Sequence, residues 1–298
     1  MLKDIAVSAF ENEMKIKHIK IDYDKLGCLV DDLLAQKDMK FKESENVDNL
    51  ERFVQLSFIQ NSVNYCFWFD HPFRKYVNHE LSGSEALWDV FKRYEILLDA
   101  KYLSTILVQD IYFMFGDIPL IMERQKCLQD VGTILCKKYQ GEAINLLEEC
   151  SFDCNLIAET IAKEFATWDD SYENMKFYKR IQSFLNFLTR SSDLNRRLQH
   201  IEDGTLLADY QIPKVFVHYG ITRYSNELSS KICNLELIQS HGREELDLRI
   251  STIILGEVIK NKLMKKGMIL TSYELDAYLW RLGRSIDCLH HLCKSIWY

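Results

Sequence analysis

Few residues in this chain can interrupt a helix. Only 3 prolines and 11 glycines are spread over its 298 residues, and these residue types most often end helices and form the turns between short strands. Apolar residues instead recur at helical spacing, as in Leu26, Leu29, Val30 and Leu33, which indicates an amphipathic helix. Because 47% of the residues are hydrophobic, a chain of this length can bury a large core. We therefore expect an all-α or nearly all-α fold, with residues 1–298 forming a single domain.

The charge balance argues against nonspecific binding of nucleic acid. The formal net charge is −7, and basic residues form only short runs such as Lys260–Lys266, whereas proteins that bind DNA or RNA without sequence preference carry a clustered basic face. The start of the sequence has no apolar signal core, and no apolar run approaches the length of a membrane span. We expect a cytoplasmic protein with no membrane partner and no direct nucleic-acid partner.

The cysteines suggest reduced thiols and not a metal site. There are nine, an odd number, and spread-out free cysteines are typical of cytosolic proteins. The groups Cys150-x3-Cys154 and Cys288-x-His290-His291-x-Cys293 each lack a second pair of ligands at the spacing of a zinc finger. We therefore expect core or surface residues at these positions, and no metal or other cofactor.

One acidic residue lies just ahead of a predicted short helix. Pro213 suits the first position of a helix that Gly220 would end, and a residue that precedes proline, here Ile212, is expected to be extended. Asp209 then lies near a helix N-terminus, which favours an ionised carboxylate by about 0.3–1 kcal/mol. Such a carboxylate beside the hydroxyl of Tyr210 could stabilise or attack the cation-like carbon formed when a glycosidic bond breaks. The alternative is an ordinary loop aspartate that caps a turn.

Three further groups of residues have the chemistry of a nucleotide site. The run Asn64–Trp68 offers the rings of Phe67 and Trp68 for stacking on a base, worth about 1–3 kcal/mol per base, and an amide for its edge, although such a run is also typical of a core. Lys179, among aromatic residues, would need an anion such as a phosphate or Asp209. Asp276 and Trp280 share a helical face, which suits a cation.

These segments resemble, in order, the motifs of the queuosine salvage protein family. The run Val63–Trp68 resembles L-N-F-[CS]-F-W, and Phe177–Gln182 resembles F-Y-K-R-A-Q. Ala208–Pro213 followed by His218, Gly220 and Tyr224-Ser225 resembles A-D-Y-R-[VIL]-P-Q…H-x-G…Y-S, and the segment of Asp276 and Trp280 resembles D-x-x-L-W. Gln211 and Lys214 depart from the family's usual Arg and Gln. Glu123-Arg124 matches the E-R of the family's P-L-x-E-R, or else lies on a solvated helix face.

The resemblance implies a queuosine 5′-phosphate N-glycosidase with a helical fold like that of DNA glycosylases. Its reaction would release queuine and ribose 5-phosphate from queuosine 5′-monophosphate, for salvage into tRNA modification. It implies Asp209 and Lys179 as catalytic residues, with Asp209 either forming a covalent intermediate or stabilising an oxocarbenium-like state. Asp276 would face the protonated amine of queuine, and Arg180 would make a structural ion pair. The substrate-binding residues would be Asn64, Phe67, Trp68, Tyr210, His218, Asp276 and Trp280.

Two other classes of function remain open at this point. The first is a helical nucleic-acid glycosylase, which the net acidity and the missing Gly-rich hairpin for a phosphate backbone disfavour. The second is a helical binding module without chemistry, in which Asp209 and Lys179 are structural. The sequence does not give the oligomeric state, nor whether free queuosine is also cleaved.

Overall fold

The computed structural model describes residues 2–36, 47–70 and 73–297, apart from the side chains of Asp70 and Phe73. Within these ranges the chain is mostly helical, as expected, with fifteen α-helices and short strands that pair only in twos. No helix in the described part of the chain is both long enough and apolar enough to cross a membrane.

The helices are numbered here in chain order. They are α1 (Lys3–Glu11), α2 (Leu26–Ala35), α3 (Leu50–Ser62), α4 (Ser84–Arg93), α5 (Ala100–Leu103), α6 (Val108–Phe115), α7 (Ile121–Lys138), α8 (Ala143–Glu149), α9 (Cys154–Glu164), α10 (Lys179–Leu188), α11 (Ser192–Arg197), α12 (Ile212–His218), α13 (Asn226–Cys233), α14 (Arg243–Lys265) and α15 (Ser272–Ser285).

The strands are two or three residues long and form five pairs in the part of the chain described. They are β1 (Ile19–Ile21), β2 (Trp68–Asp70), β3 (Phe73–Lys75), β4 (Val77–Asn78), β5 (Leu81–Ser82), β6 (Ser171–Tyr172), β7 (Met175–Lys176), β8 (Thr222–Tyr224), β9 (Leu237–Ile238) and β10 (Leu292–Cys293). The pairs β2–β3, β4–β5 and β6–β7 are antiparallel hairpins, β1 pairs antiparallel with the distant β8, and β9 pairs in parallel with β10.

The chain divides into two compact units, each built from separate stretches of sequence. The first unit contains residues 1–43, 171–179 and 200–294, and the second contains residues 44–170, 180–199 and 295–298. Lys179, Asp209 and Asp276 belong to the first unit. The aromatic run Asn64–Trp68 belongs to the second.

The core of the first unit forms between α2, α12, α14 and α15. Leu29 and Leu33 of α2, Phe216 of α12, Leu255 of α14 and Leu279 of α15 are members of one buried apolar cluster. The central helix, α14, is buried continuously from Glu244 to Gly256, as expected of a helix that is covered on all sides. Leu206, in the chain that leads into α12, packs in the same cluster.

The core of the second unit is aromatic. Phe58 of α3 stacks on Trp168 with the ring centroids 4.9 Å apart, and the rings of Phe165 and Phe184 meet it edge to face at 5.2 and 5.1 Å. Such arrangements stabilise a core by about 0.5–1.5 kcal/mol per pair beyond the burial of apolar area.

Candidate active site

The segment that carries Asp209 is irregular and buried. Residues 204–209 have no regular secondary structure. The carboxylate of Asp209 accepts a hydrogen bond from the backbone amide of Gln211 at 2.9 Å. The Ile212 amide also donates to the Asp209 carbonyl at 3.3 Å. These bonds close a turn around Asp209 and fix the direction of its carboxylate.

The same turn corrects one expectation for the start of α12. The helix begins at Ile212, one residue before Pro213, and Gln211 already has right-handed helical dihedral angles of φ −79° and ψ −33°. Ile212 is therefore not extended. The preference of a residue before proline is a bias, and the two hydrogen bonds to Asp209 override it. Gly220 ends the helix as predicted, with a left-handed φ of +68°.

Lys179 pairs with Asp209. Its ammonium nitrogen lies 3.6 Å from Oδ2 of Asp209, and the two side chains are only 8% and 9% exposed. At this separation the Coulomb attraction is about 5 kcal/mol for an effective dielectric constant near 20, before the cost of desolvating both charges is subtracted. The sequence named Asp209 as one of two possible anions for Lys179, and the structure brings these two residues together.

A second carboxylate lies beside this pair. Asp276 of α15 is buried, and its Oδ1 accepts a hydrogen bond from the Leu207 amide at 2.8 Å. Burial raises the pKa of Asp276 to about 7, and the negative charge of Asp209 acts in the same direction, while the Leu207 amide and the Lys179 ammonium oppose the shift. Two carboxylates and one ammonium group therefore share a region from which water is largely excluded.

Three of the predicted site residues follow a residue with a left-handed backbone. Tyr178 precedes Lys179 with φ +50°, and Ala208 precedes Asp209 with φ +52°. Cys66, which precedes Phe67, has φ +37°. For residues other than glycine this region costs about 1–2 kcal/mol, and such strain persists only where the surrounding structure enforces it, most often at functional sites.

Glycines allow α14 and α15 to approach the Asp209 segment closely. A Cβ atom on Gly256 of α14 would lie 2.4 Å from Cγ of Leu206, and one on Gly283 of α15 would lie 2.5 Å from the carbonyl oxygen of Gln211. Both distances are shorter than any real Cβ contact. The backbone on either side of Asp209 is therefore held between two helices.

Tyr210 and His218, both predicted to bind substrate, lie in different surroundings. Tyr210 is half-buried, and its ring centroid is 4.5 Å from that of His290. His218 is exposed at the end of α12, roughly 9 Å along the helix axis from Ile212. His218 therefore lies at the opposite end of α12 from the Asp209 turn.

His290 is a neighbour of Tyr210 that the sequence did not identify. Its Nδ1 lies 2.7 Å from the carbonyl oxygen of His291, so Nδ1 carries the proton that is donated there. The pKa of His291 is lowered to about 3, mainly by burial and to a smaller extent by the nearby His290 and Arg249. His291 is therefore neutral. In the sequence these two histidines stood out only as possible zinc ligands beside Cys288 and Cys293, and their spacing gives no sign of the contact with Tyr210.

The aromatic run of the second unit is held by a buried arginine. Arg124 of α7 donates to the carbonyl oxygens of Val63, Tyr65 and Cys66, at 2.6 Å for Tyr65 and 2.9 Å for Cys66, and to that of Pro119 at 2.8 Å. Of the two alternatives for Glu123-Arg124, a solvated helix face is therefore wrong for Arg124. It is a structural residue that sets the path of the backbone through Asn64–Trp68.

The side chains of that run are mostly buried. Asn64 is half-buried, whereas Phe67 and Trp68 are buried. The Phe67 ring stacks at 6.3 Å on Tyr76 and receives the Arg124 guanidinium at 5.5 Å. Their predicted role at the base stays a prediction.

Two further expectations concern Arg180 and Trp280. Within the described residues Arg180 makes no ion pair, contrary to expectation: its guanidinium donates to the carbonyl oxygens of Ser62 and Thr167 and lies over aromatic rings. A planar guanidinium suits such carbonyl and ring contacts. Trp280, predicted to bind a cation, is half-buried and already has the Arg284 guanidinium 5.1 Å from its ring.

One group of side chains in the described residues has the spacing of metal ligands. His18, Glu227 and Glu244 each place a potential ligand atom within 4.8 Å of the others. However, the Lys231 ammonium lies 2.9 Å from Glu244 and 3.3 Å from Glu227. This lysine already balances one of the two negative charges that would favour a metal ion.

Comparison with known proteins gives one consistent result. The family model described as queuosine salvage protein matches residues 43–298. A queuosine 5′-phosphate N-glycosylase/hydrolase of Sphaerobacter thermophilus is 28% identical, over 84% of this chain and 83% of its own length. Proteins of the same name from Dictyostelium discoideum and Mus musculus are 25% and 24% identical, over 95% and 76% of this chain and 94% and 75% of theirs. The chain belongs to the queuosine salvage protein family.

Proposed function

We propose that this protein hydrolyses the N-glycosidic bond of queuosine 5′-monophosphate and releases queuine and ribose 5-phosphate. The observation that carries the proposal is the buried Lys179–Asp209 pair in a member of the queuosine salvage family. The relatives named above carry the name of this activity. The released queuine would be available for tRNA modification.

Asp209 is the group that acts on the sugar. As the bond between C1′ and the base nitrogen breaks, its electron pair moves to the base, and C1′ becomes positively charged. The Asp209 carboxylate, fixed by the Gln211 amide and oriented by Lys179, stabilises that charge or bonds to C1′. Water then supplies a hydroxyl group to C1′, and the base takes up a proton.

Lys179 maintains this arrangement. Its ammonium stabilises the negative charge of Asp209 in a buried position, where an unpaired carboxylate would be costly. It holds the carboxylate in one orientation before substrate binds, so no reorganisation is needed during the reaction. The 7-deazaguanine base has no N7 to protonate, so help from the carboxylate matters more than with an ordinary purine.

The remaining assignments belong to the same proposal. Asn64, Phe67 and Trp68 would bind the base, Tyr210 and His218 would contact the nucleotide, and Asp276 with Trp280 would face the amine of queuine. We also propose that the protein is a single functional domain with a helical arrangement like that of the DNA glycosylases, and that it acts in the cytoplasm on a small nucleotide and not on nucleic acid.

The proposal is tested by comparing substrates. Purified protein is incubated with queuosine 5′-monophosphate, with guanosine 5′-monophosphate and with a tRNA that contains queuosine, and free base is measured by mass spectrometry. We expect free base only from queuosine 5′-monophosphate, and none from guanosine 5′-monophosphate or from the tRNA. Release of base from the tRNA would favour a nucleic-acid glycosylase, and no release from any of the three would favour a binding module.

A further inference from the structure

Asp276 is joined to the Asp209 segment by its backbone. The Leu207 amide lies in the irregular stretch 204–209, where no helix or strand supplies an acceptor, and it donates to Oδ1 of Asp276 at 2.8 Å. The bond connects residues 69 positions apart in sequence. It ties the chain just ahead of Asp209 to α15.

This bond acts across the strained residue. Only Ala208 separates Leu207 from Asp209, and its φ of +52° is unfavourable for alanine by about 1–2 kcal/mol. A strained residue relaxes unless both of its sides are held. The Gln211 amide and the close contact of Gln211 with Gly283 hold the C-terminal side, and the bond from Leu207 to Asp276 holds the N-terminal side.

We propose that Asp276 is a positioning residue, which aims the Asp209 carboxylate at the sugar by holding the Leu207 amide. This inference rests on the proposed function and goes beyond the contact with the substrate amine that the family resemblance implies for Asp276. What the bond needs from Asp276 is an acceptor oxygen in the right place. A negative charge is not required for it.

The surroundings of Asp276 agree with this role. The charged groups that act on it are Asp209 and Lys179, and burial together with Asp209 raises the pKa of Asp276 to about 7. Near neutral pH the protonated and the ionised form of the side chain therefore both occur. Oδ1 can accept the hydrogen bond in either form, because a protonated carboxyl retains an acceptor oxygen.

Two substitutions separate the acceptor from the charge. Asp276→Asn keeps an oxygen that can accept the bond, whereas Asp276→Leu has a similar size and no acceptor. With queuosine 5′-monophosphate we expect kcat to fall by less than about tenfold in the Asn variant and by about 10²-fold in the Leu variant, since a small misplacement of a catalytic group has an effect of that size. We expect KM to differ by less than about threefold between the two variants, because both lack the charge that would face the queuine amine, so the acceptor oxygen shows in kcat.

Hydrogen–deuterium exchange of the Leu207 amide gives a readout that does not depend on catalysis. We expect exchange in the Asn variant to match the wild type and exchange in the Leu variant to be faster. If the Leu variant does not fold, as judged by circular dichroism, Asp276→Ala replaces it in both measurements.

Three results would overturn the proposal. The first is an equal loss of kcat in the Asn and Leu variants. The second is a rise in KM with unchanged kcat in both, which would assign Asp276 to the substrate amine alone. The third is unaltered hydrogen–deuterium exchange at Leu207 in the Leu variant. If instead the wild type releases no base, the proposed function fails, while the exchange measurement still decides whether Asp276 holds the Asp209 segment.

Discussion

Gly283 lies directly against the carbonyl group of Gln211. A Cβ atom on Gly283 would be 2.5 Å from the carbonyl oxygen and 3.0 Å from the carbonyl carbon, so any side chain must push the Gln211 backbone away from α15. The amide of the same residue fixes Oδ1 of Asp209. The position of the carboxylate therefore depends on the absence of one methyl group on a neighbouring helix.

Gly283→Ala is expected to reduce kcat by about 10²-fold, because the displaced Gln211 amide no longer aligns Asp209. The fall in kcat is measured with queuosine 5′-monophosphate alongside the melting temperature. Gly27→Ala is the matched control: Gly27 lies within α2, and a Cβ atom there meets nothing within 4 Å. This control is expected to retain activity and to gain about 0.5–1 kcal/mol of stability. Equal activity in the two variants would contradict the packing argument.

Lys179→Met is expected to lower both activity and stability. Removing one partner of a buried ion pair leaves the Asp209 charge uncompensated, which costs about 3–5 kcal/mol. The free energy of unfolding is measured in urea, and kcat on the nucleotide. The exposed Lys262 of α14 provides the control, since Lys262→Met should change neither quantity. A stable Lys179→Met variant with normal kcat would show that neither stability nor catalysis depends on the Lys179–Asp209 pair.

The stability of the protein should depend on the ionisation of Asp276. Its pKa is raised from 3.8 to about 7, so between these pH values the folded state holds a proton that the unfolded chain has lost. The contribution of Asp276 to stability therefore falls as the pH rises from about 4 to about 7 and stays low above that range. Asp276→Asn removes this dependence.

The measurement is the melting temperature of wild type and Asp276→Asn from pH 4.5 to pH 8.5. We expect the variant to gain on the wild type as the pH rises to about 7, and the difference to stay constant beyond. Because both proteins contain His291, its own titration cancels in the difference. A difference that does not vary with pH would show that Asp276 is ionised throughout.

Arg124→Met is expected to unfold the second unit or to weaken it severely. Four backbone carbonyl oxygens lose their donor, and each buried group left without a partner costs about 1–3 kcal/mol. Arg124→Lys should not restore stability, since an ammonium group cannot reproduce the planar set of donors.

The control for Arg124 is Arg52, whose pair with Glu95 is exposed, at 46% and 77% of the side chains. Arg52→Met should change the free energy of unfolding by less than about 1 kcal/mol. An equally small loss of stability in Arg124→Met and Arg52→Met would contradict the structural role of Arg124.

The sequence predicted the class of fold and the catalytic candidates, but not the local geometry. The helical content followed from periodicity, and Asp209 and Lys179 followed from motifs. The start of α12 at Ile212 could not be predicted, because it depends on hydrogen bonds that form only in the folded turn. The left-handed conformation of Ala208 was equally hidden, since alanine gives no sign of positive φ.

Contacts between distant residues were the other part that the sequence could not supply. The position of Asp276 was associated with a substrate cation, but its bond to Leu207 depends on how α15 packs. Arg124 could not be told apart from a residue on a solvated face, because i, i+1 pairs of charged residues are common on exposed helices. Gly256 and Gly283 are positions of close approach between helices and the Asp209 segment, which depends on packing that the sequence does not show.

The most direct test of the central claim is the rate of queuine release from queuosine 5′-monophosphate by wild type and Asp209→Asn. Asparagine preserves the size of the side chain and an oxygen for the Gln211 amide, and it removes the negative charge. Asp193→Asn, in an exposed pair with Arg196, is the control and should release queuine at the wild-type rate. We predict that Asp209→Asn is slower by about 10²-fold or more. Release by Asp209→Asn at the wild-type rate would contradict the account.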